Sequence, residues 1–288
     1  MAGPEPEESE LSELSKPPPG KKPRIEKPVV LVASEDPLLD AAAEALEDLF
    51  AKFEVPESHG LGHALRVLQH VDKALATAAK CMLPSRRQAV RLAALLHDAD
   101  DRKLFKTDAE ACNARNIMQT AGADADVVSE ALRMIGLVSC SANGNSVPAE
   151  ALNNPEILWP RWADRLEATG EIGILRCWQF NQEVGRPIVV PETPRPQTEA
   201  EVWAFATDER FQRYQSSGGG SSSMLDHYYD KLLRVACPPL EVVQNAYLEQ
   251  EMVARSKPLV QICLAYGRTG TVPLDDEAIC KLREKLTC

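Results

Sequence analysis

The amino-acid sequence predicts an all-α fold. Three observations lead to this prediction: apolar residues recur at spacings of three and four, strand-like alternation is scarce, and Ala, Leu, Glu, Gln and Arg dominate the periodic stretches. The 288 residues suffice for one large domain or two small ones. We recognise no internal repeat and no second core with its own linker, so one helical domain over residues 29–288 is the simplest prediction.

Each helix is predicted from its own apolar periodicity and its flanking residues. The first begins at Pro37, with Asp36 as a plausible N-cap and proline at the first helical position, and it ends near Phe53. Further helices are predicted over residues 61–80, 85–98, 108–120, 124–138, 156–182, 223–236, 239–265 and 274–286.

Two segments interrupt the helical pattern. Arg186–Gln197 contains four prolines that forbid a helix, and Ile188–Val190 within it is at most a short edge strand. Residues 216–223 are a Gly/Ser stretch with the composition of a flexible loop. The sequence therefore predicts a helical bundle that carries a Pro/Gly-rich insertion.

The N-terminal residues 1–28 have the composition of a disordered tail, since prolines and charged residues dominate and large apolar residues are almost absent. Within them, Lys21–Arg24 resembles a short nuclear-localisation cluster, and a solvated basic tail is the alternative interpretation. The acidic, polar start is unlike a secretory signal. These features predict a cytoplasmic protein, with nuclear localisation as a further possibility.

Composition and charge argue against two classes of binding partner, nucleic acids and membranes. The formal net charge of −11 argues against a general nucleic-acid-binding surface, although a metal would still allow a small anionic substrate to bind. No apolar run approaches the roughly 18 residues that a membrane helix needs, so no membrane partner is expected. The eight cysteines include no C-x-x-C pair, which favours reduced thiols inside a cell. The sequence does not indicate an oligomeric state.

Two histidines and two aspartates occupy helical settings where an ionisable group is costly to bury. His63 lies in one helical pattern, His97 and Asp98 end a strongly apolar one, and Asp164 lies in a third. Together they would supply a mixed N/O ligand set for one divalent metal ion (Mn, Fe, Co, Ni or Mg) rather than a closed zinc site. A helix C-cap and a buried core histidine are the alternative interpretation. His70 lies about 10 Å along the helix from His63, so it cannot share the ion and is expected to be a surface or core histidine.

This order of residues is similar to the HD superfamily of metal-dependent phosphohydrolases. The resemblance is closest to a bacterial branch of predicted HD hydrolases, some of which are nucleotide pyrophosphatases, and it spans roughly residues 57–260. Four motifs of that branch carry it: His-Asp-x-x-His-x-x-Arg-Val, Leu-Leu-His-Asp-x-x-Asp-x-Lys, Asp-Ala-Asp-Arg-Leu-Asp-Ala-x-Gly-x-Ile-Gly-Ile and His-Phe-Tyr-Glu-Lys-Leu-Leu. The matching segments of this chain begin at His59, Leu95, Trp162 and His227.

The resemblance implies an HD-type helical bundle that uses a metal-activated water to attack phosphorus in a nucleotide or a related phosphate ester or anhydride. It implies Asp101 and Lys103 as catalytic residues, against the alternative of a solvated charged loop. Arg165 would bind phosphate or instead pair with a carboxylate such as Glu167. The implied metal ligands are His63, His97, Asp98 and Asp164, and the implied substrate-binding residues are His59, Arg165, His227 and Lys231.

The chain departs from the family pattern at positions that affect the expected function. Val138 stands where an Ile-x-x-His-Ser motif has its histidine, and Gly60 and Leu61 replace an aspartate and an aromatic residue. These departures, together with the long insertions, keep open a degenerate HD domain that binds a nucleotide or partner protein without turnover. A di-iron HD oxygenase is a further alternative, but no histidine occurs between His97 and His227 to supply its additional ligands.

Overall fold

A computed structural model describes residues 36–56, 59–101, 104–105, 112–238 and 240–287, and the prediction of an all-α fold is confirmed within them. All regular secondary structure in these ranges is helical. The principal helices are α1 (Pro37–Lys52), α2 (Leu61–Ala76), α3 (Pro84–Leu96), α4 (Asn113–Thr120), α5 (Ala125–Val138), α6 (Cys140–Asn143), α7 (Trp159–Glu167), α8 (Gly170–Glu183), α9 (Glu199–Phe205), α10 (Asp208–Ser216), α11 (Met224–His227), α12 (Leu233–Ala236), α13 (Leu240–Val243), α14 (Ala246–Thr269) and α15 (Asp276–Thr287).

The predicted tail over residues 1–28 lies outside the described residues, and the single-domain boundary at residue 29 stays a prediction. The described helices all belong to the compact unit that begins at Leu31. No helix in the described ranges is both long enough and apolar enough to cross a membrane.

Helices α2, α3 and α7 pack against one another and form the centre of the first hydrophobic core. Their apolar faces are completed by α1, which is capped by the Asp36 side chain as predicted, and by α5. A second core joins α8, α9 and α11 to the C-terminal part of α14. The three central helices thereby bring together residues that lie about 100 positions apart in the sequence.

The single helix predicted over residues 156–182 is wrong, because the chain turns between α7 and α8. Gly170 adopts a left-handed backbone with φ +66°, which interrupts the α-helical path after Thr169. The helix predicted over 239–265 is likewise divided into α13 and α14, where Gln244 has φ +47° and the Asn245 side chain caps α14. Periodicity continued through both breaks, so the sequence pattern did not reveal them.

The Pro/Gly-rich insertion is more structured than its composition predicted. It contains α9 and α10, neither of which was expected, and it forms no strand at 188–190. Instead the Pro187 and Ile188 carbonyls accept the backbone N–H groups of Met224 and Leu225. The predicted flexible loop is shortened to residues 217–222, since Ser216 ends α10 and the buried Ser223 caps α11.

A close backbone approach fixes this insertion to α14. A Cβ atom added at Gly267 would lie 1.8 Å from the Pro196 carbonyl oxygen, so only glycine fits at this position. Beside it, the Gln197 side-chain amide donates to the Gly267 carbonyl over 2.9 Å. The Pro-rich segment is therefore part of the packed structure rather than a loop in solvent.

Candidate metal centre

Three helices position four side chains at one place. His63 lies in the first turn of α2, and His97 and Asp98 follow directly after the last residue of α3. Asp164 lies in the middle of α7, the helix that packs against both others. Both histidines are buried, whereas the Asp164 side chain keeps 31% of its surface exposed. The cluster is therefore open to ligands on the side of α7.

The ligand atoms of these residues face one another. His63 Nε2 lies 3.2 Å from His97 Nε2 and 3.3 Å from Asp164 Oδ1. His97 Nε2 lies 3.3 Å from Asp98 Oδ2 and 3.7 Å from Asp164 Oδ1. Atoms bound to one divalent ion at about 2.0–2.2 Å lie roughly 3 to 4 Å apart, so these separations suit a shared ion.

The hydrogen bonding of Asp98 and His97 also fits a metal site. Asp98 Oδ2 is buried and has no hydrogen-bond partner among the described residues, which is costly for a carboxylate oxygen that binds nothing. His97 Nδ1 lies 2.8 Å from the Ala94 carbonyl and donates to it, so its Nε2 is directed at the cluster. His63, His97 and Asp164 form a group that can hold a metal ion, and Asp98 lies directly beside it.

Burial and the close contacts between the four side chains shift their pKa values. Burial lowers the pKa of His97, but the nearby carboxylates of Asp98 and Asp164 outweigh it and raise the pKa to about 9. Burial lowers the pKa of His63 more than the hydrogen bond of Asp164 raises it. Burial opposes ionisation of Asp164, yet its contacts with both histidines hold its pKa well below the usual range. A bound divalent ion would have to displace the proton on His97.

Two arginines that the sequence analysis did not assign lie around the cluster. Arg66 follows His63 by one turn of α2, and its Nε donates to Glu167 Oε2 over 2.6 Å. The Arg66 side chain is 40% exposed, while Glu167 is 2% exposed. Arg176, on α8, donates from Nη1 to the Glu167 backbone carbonyl over 2.9 Å, and its charge acts on both Asp164 and Asp98. Glu167 thus fixes one of these cations by its side chain and the other by its backbone.

Glu167 also anchors a buried polar network behind the cluster. Its Oε1 accepts from Arg255 over 3.3 Å and lies 3.2 Å from His70 Nε2. His70 Nδ1 in turn lies 2.6 Å from the hydroxyl of Tyr247. His70 is therefore a buried core histidine, one of the two environments expected for it. The spacing of Glu167 three residues after Asp164 was visible in the sequence, but its partners on α14 were not.

The structure corrects the substrate-binding role expected of Arg165. Its guanidinium is buried, donates to the Gly144 carbonyl over 2.5 Å and to Asn145 Oδ1 over 3.0 Å, and lies over the ring of Trp162. Adjacent residues project about 100° apart on a helix, so Arg165 points away from the face that carries Asp164. It does not pair with Glu167 either, since Glu167 binds other cations.

The remaining candidates differ in how close they lie to the cluster. The His59 ring lies 6.3 Å from the His63 ring, and burial, Arg176 and His63 together lower its pKa against the effect of the carboxylates. Asp101 lies in the turn after Asp98, to whose carbonyl its backbone N–H donates over 3.1 Å. Lys103 lies outside the described residues, so its assigned role stays a prediction.

His227 and Lys231 form a separate group around Tyr214. The His227 ring lies 5.3 Å from the Tyr214 ring, over which Lys231 Nζ is placed at 5.9 Å. Burial, together with the charges of Lys231 and Arg186, lowers the pKa of His227 to about 3, so its ring is neutral at neutral pH. Among the described residues no hydrogen bond or ion pair joins this group to the metal ligands. Tyr228–Leu232, the segment that contains Lys231, forms a π-helical turn.

A curated protein is similar to most of the chain. The uncharacterized protein L803 of Acanthamoeba polyphaga mimivirus is 34% identical over 220 residues, which cover 72% of this chain and 88% of the viral protein. The chain belongs to the family of that viral protein. A scan of protein-family models gave no match.

Solved structures of three bacterial proteins are similar to this member of the L803 family. A Lactobacillus plantarum protein matches with 20% identity and a TM-score of 0.53, covering 82% of this chain and 97% of its own. The Lin1889 protein of Listeria innocua matches with 19% identity and a TM-score of 0.51. The match covers 83% of this chain and 99% of the Listeria chain. An HD-superfamily hydrolase of Bacillus thuringiensis matches with 19% identity and a TM-score of 0.53. The match covers 80% of this chain and 96% of the Bacillus chain. The chain therefore has the fold of an HD-superfamily hydrolase.

Proposed function

We propose that the protein is a metal-dependent phosphohydrolase that acts on nucleotides or related phosphate esters and anhydrides. The observation that carries the proposal is the convergence of His63, His97, Asp98 and Asp164 from three helices, in which one oxygen of each aspartate lies within 4 Å of both histidine Nε2 atoms. These residues would hold one divalent ion (Mn, Fe, Co, Ni or Mg). When bound, such an ion lowers the pKa of a coordinated water and polarises a phosphoryl oxygen.

The surroundings of the cluster favour an anionic substrate. The charge of Arg176 acts on both Asp164 and Asp98, and Arg66, one turn after His63 on α2, keeps 40% of its side chain exposed. Arg66 is held through Nε, and neither of its terminal nitrogens forms a hydrogen bond within the described residues. A guanidinium held in this way presents two parallel N–H groups to phosphate oxygens.

The other assigned residues complete the proposal. Asp101 would orient or deprotonate the attacking water, and Lys103 would neutralise a phosphate oxygen. His59 would donate to or accept from the substrate as a neutral imidazole, given its lowered pKa. His227 and Lys231 would bind a part of the substrate remote from the ion, since they form a separate group around Tyr214.

The test of the proposal is metal analysis of the purified protein, followed by a hydrolysis screen. Nucleoside mono-, di- and triphosphates are incubated with the protein and each candidate ion, and phosphate and pyrophosphate are measured separately. We expect turnover that a chelator abolishes. Pyrophosphate release would place the attack at the α-phosphorus, whereas phosphate release would place it at a terminal one. Absence of both products with every ion would contradict the proposal.

One observation favours a second candidate, a degenerate domain that binds a nucleotide or partner protein without turnover. Val138 ends α5 and is 4% exposed, so the position of the family's histidine is filled by an apolar side chain. Valine can neither donate a hydrogen bond nor bind a metal. Tight nucleotide binding without any product in the same screen would support this alternative.

Restoring the histidine tests what Val138 changes. We expect Val138→His to raise nucleotide hydrolysis about 10-fold to 100-fold, because a hydrogen bond to a charged group contributes roughly 1.5–3 kcal/mol. The measurements are metal stoichiometry and the rate of triphosphate hydrolysis. If the folded variant changes neither, Val138 does not line the site and the alignment of this motif is wrong.

Exchange of Arg66 tests its role in substrate binding. We expect Arg66→Lys to raise KM for a triphosphate about 10-fold, since lysine keeps the charge but loses the two-pronged N–H geometry, and to leave metal content unchanged. The exposed variant Arg133→Lys, on α5, serves as the matched control. An unchanged KM in Arg66→Lys would show that this guanidinium does not contact the substrate.

We also propose cytoplasmic residence with entry into the nucleus through Lys21–Arg24, a segment outside the described residues. The support is the basic cluster alone. Microscopy of a fluorescent fusion tests it, with Lys21→Ala and Lys22→Ala in the same chain as the comparison. Equal distribution of both fusions between nucleus and cytoplasm would contradict nuclear import.

A further inference from the structure

Helix α7 carries two arginines that are buried without a carboxylate partner. Arg161 is 0% exposed and Arg165 is 3% exposed. From these residues and the tryptophan between them, we propose that the protein binds a small monovalent inorganic anion, of the size of chloride, at Arg161, Trp162 and Arg165. This inference does not depend on the proposed hydrolase activity.

Among the described residues, the hydrogen bonds of the two guanidiniums all go to neutral groups. Arg161 donates from Nε to the Leu137 carbonyl over 2.6 Å and from Nη1 to the Ser146 carbonyl over 2.7 Å. Arg165 donates to the Gly144 carbonyl and to the Asn145 amide oxygen. Within the described ranges neither guanidinium forms an ion pair with a carboxylate. The charge of Asp164 acts on Arg165 without forming an ion pair, so neither buried positive charge has a hydrogen-bonded counter-ion in those ranges, which is unfavourable in a protein interior.

Three N–H groups at this place have no acceptor. Arg161 Nη2, Trp162 Nε1 and Arg165 Nε are buried, and none of them has a hydrogen-bond partner in the described part of the chain. The guanidinium carbons of Arg161 and Arg165 lie 5.5 and 4.9 Å from the centre of the Trp162 ring. The three donors belong to residues 161–165 of α7, where a single anion would supply the missing acceptor and a bonded negative charge.

The residue types on this part of α7 leave Arg165 without an acidic neighbour at helical spacing. Residues three apart on a helix are neighbours, so the side chain beside Arg165 is the indole of Trp162 rather than a carboxylate. Burial and the neighbouring Arg165 lower the pKa of Arg161 to about 10, which still leaves it charged at neutral pH.

The test compares full-length protein in bromide and in gluconate at equal ionic strength, with a chelator present so that no metal-bound halide contributes. We expect the thermal unfolding midpoint to rise by roughly 2–4 °C for each tenfold increase in bromide once the site is half filled. In crystals grown with bromide, we expect an anomalous peak within hydrogen-bonding distance of Arg161 Nη2 and Arg165 Nε.

Trp162→Asp builds a carboxylate into the chain and is expected to abolish the bromide response. Arg165→Met, which removes one of the two charges, should weaken the response at least about tenfold in bromide concentration. It serves as the second variant if Trp162→Asp does not fold. The matched control is Arg86→Gln, an arginine that pairs with Glu130 and Glu156, and it should keep the full response.

Three results would overturn the proposal. The first is the same midpoint in bromide and gluconate, and the second is a water molecule in place of bromide at the three donors. The third concerns Cys140, whose thiol is the ionisable neighbour common to both arginines. If Cys140→Ser acquires a bromide response that the wild-type chain lacks, a thiolate is the resident anion. An unchanged response in Cys140→Ser supports the inorganic anion.

Discussion

Replacing Asp164 by alanine is expected to lower the affinity for a divalent ion at least about 100-fold and to abolish chelator-sensitive turnover. Asp164 Oδ1 lies 3.3 Å from His63 Nε2 and 3.7 Å from His97 Nε2, so its carboxylate is central to the cluster. Loss of an outer hydrogen-bond partner of a metal ligand already costs about 10–100-fold in affinity, and loss of a ligand itself costs more. Metal content after dialysis and a titration with Mn²⁺ measure the effect.

Two controls separate loss of a ligand from loss of the fold. Glu47→Gln removes a negative charge from an exposed position of α1 and should keep wild-type metal content. Thermal unfolding of chelated Asp164→Ala should remain cooperative, because the side chain is partly exposed and lies outside the apolar core. A folded Asp164→Ala protein that retains a full equivalent of metal would show that the ion, if bound, is held elsewhere.

The helical fold and the meeting of the four candidate ligands could be predicted because each left a local signal. His97 and Asp98 stand at the end of an apolar helix, where an ionisable pair is costly, and Asp164 interrupts another apolar stretch. The order of these residues along the chain then matched a family whose motifs are long enough to be specific. Helix existence followed from periodicity, which depends only on residues within two or three turns.

The direction of individual side chains could not be predicted in the same way. Arg165 follows Asp164 in the sequence, and proximity in the chain suggested a shared ligand, but adjacent helical residues face about 100° apart. The break at Gly170 depends on a left-handed backbone that periodicity does not report. The network around Glu167 joins α2, α7 and α14 through partners 88 to 101 residues away, and no local pattern records such contacts.

Replacing Glu167, which joins that network, is expected to have the second large effect, a loss of folding stability. Glu167→Leu should lower the free energy of unfolding by about 2–3 kcal/mol, because it removes a buried carboxylate that pairs with both Arg66 and Arg255. The loss is limited because Arg66 is 40% exposed to solvent and Arg255 keeps its ion pair with Glu251. Glu167→Gln should cost less, since an amide still accepts hydrogen bonds. Urea unfolding of the chelated protein at pH 7 measures both variants without a contribution from bound metal.

The same carboxylate predicts how stability depends on pH. Burial raises the pKa of Glu167, but the hydrogen bonds from His70 and Arg66 and the charge of Arg66 outweigh it and lower the pKa to about 2 from its usual 4.5. A lowered carboxylate pKa stabilises the folded state at every pH above the unfolded value. That stabilisation, about 3 kcal/mol, should be fully present above pH 4.5 and should disappear as the pH falls towards 2.

Comparison of two variants assigns this pH dependence to Glu167. In Glu167→Gln the group cannot ionise, so the unfolding free energy should fall less steeply between pH 4.5 and 2 than in the wild-type protein, and the difference between the two proteins should shrink as the pH falls. The exposed variant Glu47→Gln should follow the wild-type curve throughout. Parallel curves for Glu167→Gln and the wild-type protein would mean that folding does not lower the pKa of Glu167. Its contacts with Arg66 and Arg255 would then favour the carboxylate over the neutral acid no more than water does in the unfolded chain.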